Sequence, residues 1–112
     1  MEARIETIEN ITIARIEADY LDAGNAKEFK RDIMPMLEGK SCVILDMSRL
    51  KFVDSSGIGA IVSCLRQLNS SGGDLKLSGM LKSIRALSEL MNMHRIFDIY
   101  NTKDEAIAAF RG

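Results

Sequence analysis

The order of elements legible in the sequence predicts an α/β fold: a single domain over residues 1–112 with a mixed sheet of about five strands and an N-terminal hairpin. Three observations carry the α/β prediction. A short apolar run rich in β-branched residues, Cys42-Val43-Ile44-Leu45, stands between two stretches of helical periodicity. From there to the end of the chain, strand-like and helix-like segments alternate, the pattern of parallel strands joined by right-handed crossovers. The N-terminal segment alternates polar with apolar residues on both sides of a two-residue break, which adds an antiparallel hairpin.

In chain order, residues 3–8 and 11–17 carry Ile5 and Ile8, then Ile11 and Ile13, with Glu9-Asn10 as the turn between them. From Asp22, taken as an N-cap, Ala26, Phe29, Ile33 and Leu37 recur at three- and four-residue steps and predict an amphipathic helix. Pro35, the only proline, is expected to end or kink it early, because proline has no N–H to donate in a helix interior. Cys42 to Leu45 suits a strand covered on both faces and is the candidate central strand.

After an irregular stretch, Ile58, Ile61, Val62, Leu65 and Leu68 mark a second helix, closed by Ser70-Ser71-Gly72-Gly73. Leu75-Lys76-Leu77 reads as a strand. Ile84, Leu87, Leu90 and Met91 mark a third helix, and Phe97-Asp98-Ile99-Tyr100 a last short strand. Thr102, with Glu105 three residues later, forms a capping box that opens a final helix through Ile107 and Phe110. The sum is five strands and four helices.

Composition narrows the function. With 112 residues, 15 Lys+Arg against 16 Asp+Glu and a formal net charge of -1, the chain offers no strong field for nucleic acid or an anionic membrane. Its longest uncharged stretch, Ser55 to Leu65, is too short to span a bilayer, and the N-terminus lacks the apolar core of a secretory signal. A cytoplasmic protein is the expectation. Cys42 and Cys64 stand in apolar settings without metal or redox spacing and are expected to be reduced packing residues. Metal ligation lacks donors, since one histidine and two scattered cysteines make no ordinary zinc site. No catalytic residues, metal or cofactor are assigned.

The loop after the candidate central strand is the place where open α/β sheets put their sites. It reads Lys51-Phe52-Val53-Asp54-Ser55-Ser56-Gly57-Ile58-Gly59. Two hydroxyls, a carboxylate and two glycines gather at a helix start, more than an N-cap needs. Phosphate-cradle motifs are incomplete: Gly57-Ile58-Gly59 lacks both the third glycine of a dinucleotide fingerprint and the Gly-Lys-Ser/Thr of a P-loop. His94, the sole histidine, sits beside Arg95 far along the chain, and no nucleophile elbow is present. Ile58 is divided between core and partner contact, with core preferred. Met34, Met36, Met80, Met91 and Met93 are divided between core filling and an adaptable surface, with core preferred for most.

The stretch from Val43 through Leu68, VILDMSRLKFVDSSGIGAIVSCLRQL, closely resembles the central region of anti-sigma-factor antagonists, the stand-alone members of the STAS domain family. The segments LDAGNAKEF and LKLSGMLKSIRALSEL extend the resemblance over nearly the whole chain. It implies a partner switch without enzymatic activity. The unphosphorylated protein would bind a serine-kinase anti-sigma factor of the GHKL ATPase type and so release its client. Phosphorylation would break that complex, and a serine phosphatase of PP2C type would reset it.

The resemblance places the phosphoacceptor at Ser55, with Ser56 as second choice, and partner contacts at Asp54, Ser55, Ser56, Gly57, Ile58 and Gly59. The alternative is a STAS adaptor subunit of a transport or signalling complex that is never phosphorylated. A receiver-like domain using Asp46 ranks lower, because no paired acids follow the first strand and no lysine follows the last. One departure stands out. Many relatives carry a glycine before the Leu-Asp that opens the first helix, whereas this chain has Tyr20 before Leu21-Asp22. Loop geometry beside the phosphosite is therefore expected to differ.

Overall fold

The computed structural model describes residues 1–112. Strands β1 (Ala3–Ile8) and β2 (Ile11–Ile16) form the expected hairpin, and Glu9 takes a positive φ of 57° in its turn. After the two-residue strand β3 (Tyr20–Leu21) come helix α1 (Ala26–Ile33) and a 3₁₀ turn (Met34–Leu37) that holds Pro35. The proline thus ends the α-helix as its chemistry requires. There follow β4 (Cys42–Asp46), β5 (Phe52–Val53), α2 (Ser55–Ser70), β6 (Asp74–Ser78) and α3 (Lys82–Leu90). A second 3₁₀ turn (Met93–Arg95), β7 (Asp98–Tyr100) and α4 (Lys103–Arg111) complete the chain.

The main sheet has five strands in the order β1-β2-β4-β6-β7, antiparallel at β1/β2 and parallel elsewhere. The α/β expectation holds, and Cys42–Asp46 is the central strand. Because successive residues of a strand face opposite sides, β2 and β4 feed two cores. Ala14, Ile16, Val43 and Leu45 enter a large cluster with Phe29 and Ile33 of α1, Ile61, Leu65 and Leu68 of α2, and Ile84 of α3. Ile11, Ile13 and Ile44 face the other way and pack beneath Ala106 and Ile107 of α4.

Lys76 explains how a charge fits the second core. Its side chain is nearly buried, with Nζ 2.8 Å from Asp98 Oδ2, 3.3 Å from Asp74 Oδ2 and 4.6 Å from the centre of the Phe110 ring. The aliphatic stem fills space under α4 while two carboxylates and an aromatic face hold the ammonium.

Several expectations are corrected. Asp22 does not cap α1: Asn25 precedes the helix, and Asp22 instead heads a turn in which its Oδ1 accepts from Gly24 N at 2.9 Å. Leu90, 82% exposed, and Met91 lie beyond the part of α3 that packs, which buries Ile84 and Ser88. Phe97 is buried but precedes β7. Met93 is buried and Met34 and Met80 pack on the core, whereas Met36 and Met91 are exposed. His94 is exposed in the second 3₁₀ turn. No helix is long and apolar enough to cross a membrane.

Both cysteines are free thiols, Cys42 half-buried and Cys64 fully buried in the large core. Burial pushes the Cys64 thiol up to about 12, leaving it protonated and unreactive near neutrality. Under native conditions at about pH 8, an alkylating reagent is expected to label Cys42 first and Cys64 only after unfolding. Peptide mass spectrometry reads the order, and rapid native labelling of Cys64 would contradict the packing described.

Candidate functional site

The site is built where two short loops meet at the start of α2. Asp54 leaves β5 in extended conformation (φ -105°, ψ -175°) and caps the helix, its Oδ1 accepting from Gly57 N at 3.0 Å. Its second oxygen accepts from Ala23 N at 3.2 Å, so one carboxylate ties the α2 N-terminus to the loop before α1. That loop is fixed internally as well. Asp22 N donates to Asn25 Oδ1 and Asn25 Nδ2 donates to Tyr20 O, each at 2.9 Å.

Beneath this clamp, β3 and β5 pair in parallel, Tyr20 beside Phe52 and Leu21 beside Val53. Leu21 and Val53 point into the large core, while Tyr20 and Phe52 remain 50% and 55% exposed. The result is an aromatic step on the surface next to the helix start. Gly57 seals the floor: a Cβ there would lie 2.2 Å from Leu21 O, so no side chain fits without displacing β3.

Of the residues singled out from the sequence, Asp54, Ser55, Ser56 and Gly59 are the accessible ones, Asp54 half-buried and the other three exposed. Gly57 and Ile58 are buried, Ile58 at 4% exposure, and their side of the helix faces the core. Ile58 follows the packing alternative. Gly59, also among the expected contacts, is open: a Cβ there would meet nothing within 4 Å.

Because Asp54 supplies the cap, the hydroxyls of Ser55 and Ser56, the first two residues of α2, are not needed for that task. The first N–H groups of a helix lack intrahelical partners and carry the positive end of its dipole. Asp54 takes the one on Gly57, and Ile58 N already donates to Asp54 O at 3.0 Å. The backbone around Ser55 and Ser56 is therefore suited to an oxyanion carried by either serine.

Around the rim, Arg49 holds the loop between β4 and β5 against the segment that joins β2 to β3, with Nη1 2.9 Å from Glu17 Oε2 and Nε 3.4 Å from Asp19 Oδ1. Hydrogen bonds from Arg15 and Arg49 hold the Glu17 carboxyl below its ordinary range. Asp46, the receiver-like candidate, lies at the end of β4 and uses Oδ1 to accept from Ser48 N at 2.9 Å.

Sequence reasoning missed the aromatic step. Two-residue strands carry no periodicity, yet a signal is present: Tyr20-Leu21-Asp22 and Phe52-Val53-Asp54 repeat an aromatic-aliphatic-Asp pattern. Each copy puts its aromatic outside, its aliphatic residue inside and its Asp on a following N–H.

The fold and site together are those of a small mixed α/β domain with an exposed serine pair at a carboxylate-capped helix start. The chain belongs to the STAS domain family, whose pattern it matches over residues 2–106. It is 25% identical over 112 residues to "Putative anti-sigma factor antagonist BtrV" of Bordetella bronchiseptica, covering 99% of this chain and 96% of that protein. Against a protein of Thermotoga maritima named "Putative anti-sigma factor antagonist", identity is 31% over 93 residues, 81% of this chain and 82% of that one. A crystal structure from the same organism, described in the same words, superposes with a TM-score of 0.87 at 26% identity, covering 98% and 95% of the two chains. The Bacillus cell fate determinant SpoIIAA in its phosphorylated form shares the fold, with a TM-score of 0.68 at 20% identity over 97% of this chain and 99% of that one.

Proposed function

We propose that this protein is an anti-sigma factor antagonist that works as a phosphorylation-controlled partner switch in the cytoplasm. The observation that carries the reading is the division of labour at the α2 start. Asp54 caps the helix and clamps the neighbouring loop, which leaves the exposed Ser55 hydroxyl free for modification. The relatives' names supply the partner class, and the phosphorylated state of SpoIIAA, a structural neighbour, supplies the precedent for modification.

In this scheme the free-hydroxyl form presents Asp54, Ser55, Ser56 and Gly59, flanked by Tyr20 and Phe52, to a serine-kinase anti-sigma factor of the GHKL ATPase type. Gly57 and Ile58 act from below by fixing the height of that surface. The kinase moves the γ-phosphoryl group of ATP to Ser55 Oγ, and ADP and the hydroxyl proton leave. A PP2C-type phosphatase hydrolyses the ester to restore the hydroxyl.

The phosphate adds about 1.5 to 2 negative charges beside Asp54. That takes the formal charge of -1 to about -3. The helix dipole tolerates the added group, so the domain stays folded while a surface that matched its partner no longer does. No catalytic role falls to this chain.

The test is to incubate the purified protein with the candidate anti-sigma kinase of its own genome and ATP, then map the modified residue by mass spectrometry. One phosphate on Ser55 is expected, and none on a Ser55→Ala variant. Modification at Ser56 alone would move the switch by one residue. A stable complex that is never phosphorylated would favour the adaptor alternative.

A further inference from the structure

The free edge of β1 carries an inference separate from the α2 site. β1 is the first strand in the sheet order and β2 is its only neighbour, so one side of a six-residue strand has no partner. The opposite edge strand, β7, has only three residues.

The register tells which backbone groups point outward. Glu17 N donates to Glu2 O at 3.0 Å, which makes Glu2 and Glu17 a hydrogen-bonded pair. Such pairs alternate along an antiparallel ladder, so Arg4 with Arg15, Glu6 with Ile13 and Ile8 with Ile11 are the others. The N–H and C=O groups of Ala3, Ile5 and Thr7 therefore face away from β2, toward the open edge.

We propose that this edge pairs with a second copy of the same chain, antiparallel and centred on Ile5, joining two five-stranded sheets into one. In that register Ile5 exchanges both backbone bonds with Ile5 of the second copy, and Ala3 does so with Thr7. All the outward groups of the strand then find partners. Side chains agree with the backbone. Arg4 of one copy, which also lies 3.5 Å from its own Glu17, falls opposite Glu6 of the other, which also lies 3.3 Å from its own Lys103, and the same pair forms again across the two-fold axis. Ile5, 44% exposed on the face it shares with buried Ala14, meets its own counterpart.

Opposite charges across a strand pair are favourable and like charges are not, so the alternation selects this pairing over the parallel one, which sets Arg4 against Arg4. Natural edge strands use charges to discourage pairing, but here the signs are arranged so that one specific pairing is allowed. The arrangement is isologous and closes at two copies.

The test uses charge reversal. Sedimentation equilibrium of the intact protein is expected to show its mass of 12.4 kDa rising toward twice that value with concentration. Arg4→Glu and Glu6→Arg alone each place like charges across the axis and are expected to weaken self-association by about tenfold. Mixed in equal amounts, the two variants regain opposite charges at both positions and are expected to associate as the wild type does. Ile5→Pro removes an outward N–H that no internal bond uses and is expected to be monomeric, with circular dichroism confirming that it folds. A wild type that stays monomeric at millimolar concentration overturns the proposal. So do single variants that associate like the wild type, or a mixture that fails to recover.

Discussion

Valine in place of Gly57 is expected to lower the stability of the domain by about 3 kcal/mol or more, at the upper end of what overpacking costs. The reason is distance and not backbone conformation, since Gly57 is not among the glycines with positive φ. A Cβ at this position falls 2.2 Å from Leu21 O and 2.9 Å from Leu21 C, and both are main-chain atoms. Leu21 has little room to retreat. It pairs with Val53 in the small sheet, its carbonyl accepts from Asp54 N at 3.3 Å, and its side chain is fully buried. Relief would have to separate β3 from α2 and pull Ala23 away from Asp54, dismantling the site along with the packing.

Gly57→Ala is expected to show a milder form of the same loss. Gly59→Ala, two residues on, meets open space and should stabilise the helix by up to about 1 kcal/mol through helix propensity. Urea denaturation of the set gives the comparison. Equal stabilities for Gly57→Ala and wild type would mean that the two loops do not meet as described.

Ser55→Asp is expected to weaken binding to the anti-sigma partner by at least about 100-fold, equivalent to about 2.7 kcal/mol, and to leave the fold intact. An added carboxylate at the first residue of α2 is welcome to the helix dipole, so its effect falls on the interface. There it stands beside Asp54 on the proposed contact surface. A like charge or an unmatched desolvated carboxylate in a contact of that kind costs several kcal/mol. Ser55→Ala removes only the acceptor hydroxyl and is expected to bind constitutively. Ser56→Asp serves as the positional control and should have the smaller effect. Titration calorimetry with the purified partner, alongside thermal melts of each variant, separates binding from folding. If Ser55→Asp binds as tightly as wild type, the switch does not operate through this residue.

Much of the fold was legible because its elements follow simple periods. The continuous burial of β4, the three- and four-residue steps of α1 and α2, and the Thr102 N-cap are all local patterns: β4 and α2 form where expected, α1 forms as the shorter Ala26–Ile33, and Thr102 accepts from Glu105 N without the reciprocal bond of a full capping box. Asp22 reads as a cap in the sequence because the same side chain that caps a helix also closes a turn, and the choice depends on where Asn25 and Tyr20 O sit. Leu90 reads as a packing residue because helical spacing says which side of α3 is apolar but not how far along it the core extends.

The alternation of strand and helix, the buried run of β4 and the helix start that displays Ser55 can be read from the chain alone, because each is written in residues within a few positions of one another. Tertiary structure alone decided that Asp54 holds Ala23 across 31 positions of chain, that Tyr20 and Phe52 form one exposed step, and that Gly57 must lack a side chain. Those three features arise where β3 is laid against β5 and α2. Contacts between segments so far apart in sequence leave no period to read, and only the packed chain specifies the close approach that fixes them.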